Sequence, residues 1–177
     1  MEPRVDYNTV AAEGVTAMLG LEHYVRASEL EPSLLELVKL RASQINGCAY
    51  CVDMHTKVAR AHGESEQRLY AVSLWRETPF FSERERAALE WTEAITQVSR
   101  GHVRDKVYKS VRKHFNEKRL VDLTLAIIAI NGWNRLAIAF RRVPGTFQPH
   151  AQSEEGATSA HVSHNTSMAG KVETRSM

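Results

Sequence analysis

The chain has 177 residues, enough for one domain with a tail, and a domain of about 150 residues buries roughly two thirds of its unfolded surface without needing disulfide staples. Its 43% hydrophobic and 25% charged residues are those of a soluble protein. A formal charge of +2, with Lys and Arg interleaved among Glu and Asp as in SERERAALEWTE, argues against a nucleic-acid partner. The opening MEPRVDYN is not basic-then-apolar, and the most apolar stretch, Leu123 to Ile130, is too short to span a membrane. The expectation is therefore a cytoplasmic protein with no membrane partner and, in that reducing compartment, no lasting structural disulfide.

The predicted elements are all helices, because no segment alternates apolar and polar residues between turn signals. The first is predicted over Asn8 to Ala27, its pattern interrupted by Gly14 and Gly20. The second begins at EPSLLELVKLRASQI, with Pro32 in its first turn, where a missing N–H costs nothing. Leu34, Leu37, Val38, Ile45 and the stem of Arg41 share its apolar face. Glu36 falls opposite them beside Lys39, where a solvated carboxylate belongs. Asn46 and Gly47 end it, and a third helix opens near Cys48 and runs to His62, stopped by Gly63. A short helix covers Glu66 to Leu74. Ser82 and Glu85 form a capping box that starts a helix to about Val98, and another covers about Val103 to His114. Asn116 caps a last helix from Glu117 to about Arg142, so apolar that it belongs at the centre of the fold or in a subunit interface. The result is an all-α domain of about six to seven helices over residues 1–147. Residues 148–177 have almost no large apolar side chains and are expected to form a disordered tail.

Chemistry concentrates in the third helix. Its only two cysteines, Cys48 and Cys51, lie one turn apart, and His55 lies one turn further. A helix N-terminus favours thiolate over thiol, so a dithiol there beside an imidazole reads as a redox pair in which one sulfur attacks and the other resolves. Three other readings exist. The pair is half of a zinc site, but no second such pair is present, and His55 with either His62 or a tail histidine would have to complete it. A thioredoxin site follows a strand, whereas a helix precedes this one. Two buried, inert thiols are the plainest reading of all. His62, Tyr50, and the Asn131, Trp133, Asn134 and Arg135 of NGWNR are secondary candidates for lining a site. His150, His161 and His164 are too dispersed for a metal site.

The segment ELVKLRASQINGCAYCVDMHTKVAR resembles the core motif of the alkylhydroperoxidase D family, within the carboxymuconolactone decarboxylase-like superfamily. The family pattern of Glu followed by C-x-x-C-x-x-x-H falls on Glu36, Cys48, Cys51 and His55, and the likeness continues to about Phe147. The resemblance implies a helical domain of the alkylhydroperoxidase D type, assembling as dimers, trimers or hexamers. It implies thiol-dependent reduction of hydrogen peroxide and organic hydroperoxides. Cys51 would attack, Cys48 would resolve, His55 would share a proton with Cys51, and Glu36 would serve a proton relay. No haem, flavin or metal is implied; an external dithiol or protein reductant would reset the pair. Tyr50 stands where some members carry a second histidine, and a phenol is a poor shuttle at neutral pH, so the relay would be shorter. Branches with decarboxylase activity lack the dithiol. A redox sensor or disulfide exchanger without turnover, or a non-enzymatic oligomerisation module, are the alternatives to a peroxidase.

Overall fold

The computed structural model describes residues 2–149, so the expected tail lies almost wholly outside them. Among the described residues the chain forms eight α-helices, two short 3-10 turns and no strand, as the all-α reading requires. The first predicted helix is two: α1 (Tyr7–Val10) and α2 (Ala12–Arg26). The break falls at Ala11, whose φ of −135° and ψ of 44° are not helical. Gly14 and Gly20 lie inside α2, at exposed positions.

After Leu30, α3 (Pro32–Asn46) starts with its proline and ends at Gly47, whose φ of 68° is the left-handed conformation that glycine adopts without strain. Only Gly47 and Cys48 separate it from α4 (Ala49–Ala61). Next come α5 (Glu66–Ala71) with a 3-10 turn (Val72–Glu77), then α6 (Glu83–Thr96), and α7 (Asp105–Val111), shorter than predicted. The 23-residue α8 (Glu117–Ala139) is capped by Asn116, whose side chain accepts from the Arg119 N–H. It ends three residues before the predicted Arg142, because Arg141 turns out of the helix at a φ of 55°.

α3 is the hub, packed against α4, α6 and α8. Val25, Leu34, Val38, Ala88, Leu123 and Ile127 interlock into the main core. Within α8, Leu123, Ala126, Ile127 and Ile130 are fully buried, while Val121, Ile128 and Ile138 are about half exposed. Taken whole, α8 is long and apolar enough to cross a membrane, which its central stretch alone did not suggest. Half of that span is buried against other helices, as in the core helix of a bundle.

The capping box at α6 forms as predicted: the Glu85 N–H donates to Ser82 Oγ at 3.3 Å, and the Ser82 N–H donates to Glu85 Oε2 at 2.7 Å. Ser82→Ala is expected to lower unfolding free energy by about 1 kcal/mol. Urea denaturation checks this, and an unchanged midpoint would contradict it.

Candidate active site

The turn between α3 and α4 builds the dithiol. Left-handed Gly47 lets the chain reverse, and Cys48 follows in an extended conformation as the N-cap of α4. Its Sγ accepts the Cys51 N–H at 3.4 Å, doing with sulfur what Ser or Asp oxygen does at most caps. Both residues are free thiols, and both are almost completely buried. α4 thus sets Cys51 one turn in, directly above its partner.

The two sulfurs divide one proton unequally. Cys48 is lowered to about 7, first by the hydrogen bond from the Cys51 thiol, then by the Cys51 backbone N–H and the Asn134 amide, with burial opposing. Cys51 is pushed up by being the donor in that bond, by burial and by the negative charge on Cys48. The pair therefore loses its first proton as a unit, and the hydrogen bond between the sulfurs lowers Cys48 while it raises Cys51. Thiolate absorbance is expected to rise by one equivalent with a midpoint near pH 7, with no second equivalent below the ordinary thiol value of 9.0. Two equivalents rising together near that ordinary value would contradict the shared proton.

Glu36 overturns its helical-wheel placement. It is only 6% exposed, and Lys39 only 1%, because His55 of α4 packs on Glu36 and Glu22 of α2 reaches over Lys39. The ammonium of Lys39 bonds to Glu22, and Glu22 also accepts from Arg26 Nε at 3.3 Å. Glu36 Oε2 lies 2.7 Å from His55 Nδ1. Burial raises the Glu36 carboxyl, as expected, but the His55 hydrogen bond and the charges of His55, Lys39 and Arg26 outweigh it and hold the group below its usual range. An ionised carboxylate only accepts, so Nδ1 carries a proton, and in the neutral ring the lone pair falls on Nε2. That Nε2 is buried and has no hydrogen-bond partner among the described residues. The expected direct contact between His55 and Cys51 is not made; the Cys51 thiol is engaged with Cys48 instead.

Cys51 and His55 line a cavity of about 250 Å³ whose other walls include Leu19, Tyr50, Met54 and Trp133. Cys48 is set behind them, off the cavity wall. Asn134 is fully buried, donating to Ser43 Oγ at 3.0 Å and accepting from Asn46 Nδ2 at 2.8 Å, so it braces α8 against α3 beside the sulfurs. Asn131 joins the same brace, accepting from Asn46 at 2.9 Å, while Arg135 is exposed and bonds back to Asn131. His62 is exposed at the far end of α4, away from the dithiol. Tyr50 is buried, with the Arg142 guanidinium 4.4 Å from its ring centroid; burial raises its phenol, and Arg142 opposes this. Among the described residues no three His, Cys, Asp or Glu side chains are grouped to hold a metal ion.

Sequence reasoning missed Glu22, Lys39, Arg142 and Tyr7. Lys39 sits i+3 from Glu36, which was a usable signal for a shared environment; the other three are brought in by tertiary packing alone.

The pattern of the carboxymuconolactone decarboxylase family matches residues 11–94, a stretch that holds Glu36, both cysteines and His55. The uncharacterized protein YdfG of Bacillus subtilis (strain 168) is 47% identical over 139 residues, covering 78% of this chain and 95% of its own. A crystal structure of an Agrobacterium tumefaciens protein of unknown function, named only as a candidate antioxidant defence protein AhpD, is 44% identical with a TM-score of 0.79, and the match covers 81% of this chain and 98% of that one. An uncharacterized peroxidase-related protein from Silicibacter sp. TM1040 shares the fold at 23% identity and a TM-score of 0.68, over 76% of this chain and 72% of that one. By motif, length and architecture together, the chain belongs to the carboxymuconolactone decarboxylase family.

Proposed function

We propose that the protein is a thiol peroxidase that reduces hydrogen peroxide and organic hydroperoxides through a Cys48–Cys51 dithiol cycle. The observation that carries this reading is the unpartnered Nε2 of His55, backed by Glu36 and lining the same cavity as Cys51. A carboxylate–imidazole pair with a bare nitrogen beside a thiol is the arrangement by which a weak nucleophile is activated. The likeness, at 44% identity, to a candidate antioxidant defence protein points the same way.

In the proposed cycle a hydroperoxide enters the cavity and displaces the Cys51 thiol from its bond to Cys48. His55 Nε2 takes the thiol proton, and Glu36 stabilises the imidazolium. Cys51 sulfur attacks the terminal peroxide oxygen. The S–O bond forms, the O–O bond breaks, and the leaving alkoxide takes the proton from His55 as an alcohol. Cys48, the sulfur whose proton affinity is lowered, then attacks as a thiolate the sulfenic sulfur of Cys51. The S–S bond forms, and hydroxide leaves and is protonated to water. An external dithiol supplies two electrons and two protons to restore both thiols and becomes a disulfide itself. The low proton affinity of Cys48 suits the resolving step, while Cys51 is the sulfur on the cavity wall.

A reducing cytoplasm is the compartment in which such a cycle would be sustained. A homo-oligomer is part of the same reading, and the half-exposed Val121, Ile128 and Ile138 on α8 offer it an apolar face.

The test is turnover. With excess dithiothreitol the parent should consume many equivalents of cumene hydroperoxide per chain, and Cys51→Ser none above the uncatalysed rate. A reduced parent that consumes no more peroxide than Cys51→Ser would be at most a sensor or disulfide exchanger.

A further inference from the structure

The cavity in front of Cys51 holds a cation that the cycle above does not use. Two arginines line it, Arg26 and Arg142. Arg26 is tied to Glu22, which also holds Lys39. Arg142 is different: among the described residues no carboxylate forms an ion pair with it. Asp6 feels its field, but both Asp6 oxygens are occupied by Asn8 and Thr9 in capping α1.

What holds Arg142 is aromatic. The left-handed turn at Arg141 brings the chain back against the end of α8, where the Arg142 N–H donates to the Ala137 carbonyl at 2.9 Å. Its Nη1 donates to the Tyr7 hydroxyl at 2.8 Å, and its guanidinium lies over the Tyr50 ring. With a further hydrogen bond to the Tyr50 hydroxyl, these contacts fix the plane of the fork and leave its remaining N–H groups without an acceptor among the described residues. An arginine stacked and oriented in this way, half-buried on the wall of a cavity whose other charged lining, Glu22 and Arg26, is already paired, is built for two-pronged recognition of a planar anion. The rest of the wall, with Leu19, Met54, Trp133 and Phe147, suits a hydrocarbon body. At about 250 Å³ the cavity is below the usual ~300–1,000 Å³ of ligand clefts, which suits one ring or a short branched chain better than a long acyl chain.

We infer that Arg142 is a carboxylate-recognition residue, and that the substrate is a compact organic hydroperoxide bearing a carboxylate at the end away from the peroxide. This rests on the peroxidase reading. In the bound complex the carboxylate accepts from the Arg142 fork, the apolar body packs on Trp133 and Phe147, and the hydroperoxide reaches Cys51 and His55.

The experiment compares the para-carboxylate of cumene hydroperoxide with its methyl ester as substrates for the parent, Arg142→Gln and Arg142→Lys. The parent should favour the acid in kcat/KM by about tenfold or more, mainly through KM, as a charge-assisted pair worth ~1.5–3 kcal/mol requires. Arg142→Gln should bring the acid-to-ester ratio to about one, and Arg142→Lys should leave it intermediate. If Arg142→Gln lowers both rates in the same proportion, Arg142 only supports the fold or the Cys51 thiolate, and the inference is wrong. Brisk turnover of both compounds by the parent without preference overturns the carboxylate assignment and leaves the peroxidase reading standing. No turnover of either removes both. Calorimetry with para-isopropylbenzoate and its carboxamide gives a readout that needs no turnover. Tighter binding of the benzoate, lost in Arg142→Gln, supports the anion site, and equal binding of the two contradicts it.

Discussion

Glu36→Gln is expected to lower kcat/KM for hydroperoxides by roughly 10²–10⁴-fold, the range over which general-base catalysis and its orienting carboxylate act. The carboxylate makes one bond that matters here, accepting from His55 Nδ1 at 2.7 Å. A glutamine amide has the same shape but can turn its NH₂ toward the ring. His55 would then hold its proton on Nε2, the nitrogen that in the proposed cycle accepts from Cys51. The substitution also removes the negative charge that stabilises the imidazolium during attack. Glu36→Gln should remain folded, since the side chain is isosteric, and helical circular dichroism would verify this. His55→Gln should lose activity to a similar extent, and the double variant should lose little more, because the two residues act as one unit. Independent, multiplying losses would separate Glu36 from the His55 chemistry.

Lys39→Ala is expected to be among the most destabilising single changes in the chain, by ~3–5 kcal/mol. Lys39 is fully buried; its ammonium bonds to Glu22, and its charge also holds Glu36 ionised. Truncation leaves two buried carboxylates short of their cation, and also a cavity. The double change Glu22→Gln with Lys39→Met removes the pair together at similar volume and should restore most of the stability. The same groups set an acid limit. Glu22 and Glu36 are both held below the usual 4.5: burial raises each, and it is outweighed at Glu22 by Lys39 and Arg26 and at Glu36 by His55 first and then Lys39. Groups lowered by folding stabilise the native state above their unfolded value, so this contribution is complete above about pH 4.5 and is lost as the pH falls through their lowered folded values. Urea midpoints measured across that range in the parent and in the double variant should differ in slope. Parallel curves would mean that the pair does not carry the acid sensitivity.

Local punctuation was the most readable part of the sequence. Pro32, Gly47, Gly63, the Ser82–Glu85 box and Asn116 each act within one turn, and each marks a helix end at or beside the expected place. The Cys48, Cys51 and His55 spacing was likewise readable, because residues three and four apart on one helix are neighbours by construction. The break at Ala11 carried no such signal: alanine is the best helix former, and the kink comes from the way α1 caps on Asp6 while α2 packs on α8. Glu36 was misplaced by periodicity for a related reason. A helical wheel reports how many apolar side chains a face carries, and the polar face of α3 is covered by Glu22 of α2 and His55 of α4 rather than by apolar residues. Only the motif resemblance drew attention to it. Arg142, more than ninety residues beyond Tyr50 in the chain, is brought to the cavity by the turn that ends α8, and nothing local to FRRVPG indicates where it goes. Which sulfur attacks was not legible from spacing, because two thiols one turn apart are equivalent on a helical wheel, and only the motif resemblance singled out Cys51.

The most direct test of the central proposal is a single-turnover mass measurement. Reduced protein treated with one equivalent of hydroperoxide at neutral pH should lose both free thiols and two hydrogens, forming an intrachain Cys48–Cys51 disulfide. Cys48→Ser should instead stop with one oxygen added at Cys51, in a form that traps with a sulfenic-acid reagent. Retention of both thiols by the parent, or oxygen added at Cys48 in Cys51→Ser as fast as at Cys51 in Cys48→Ser, would contradict it.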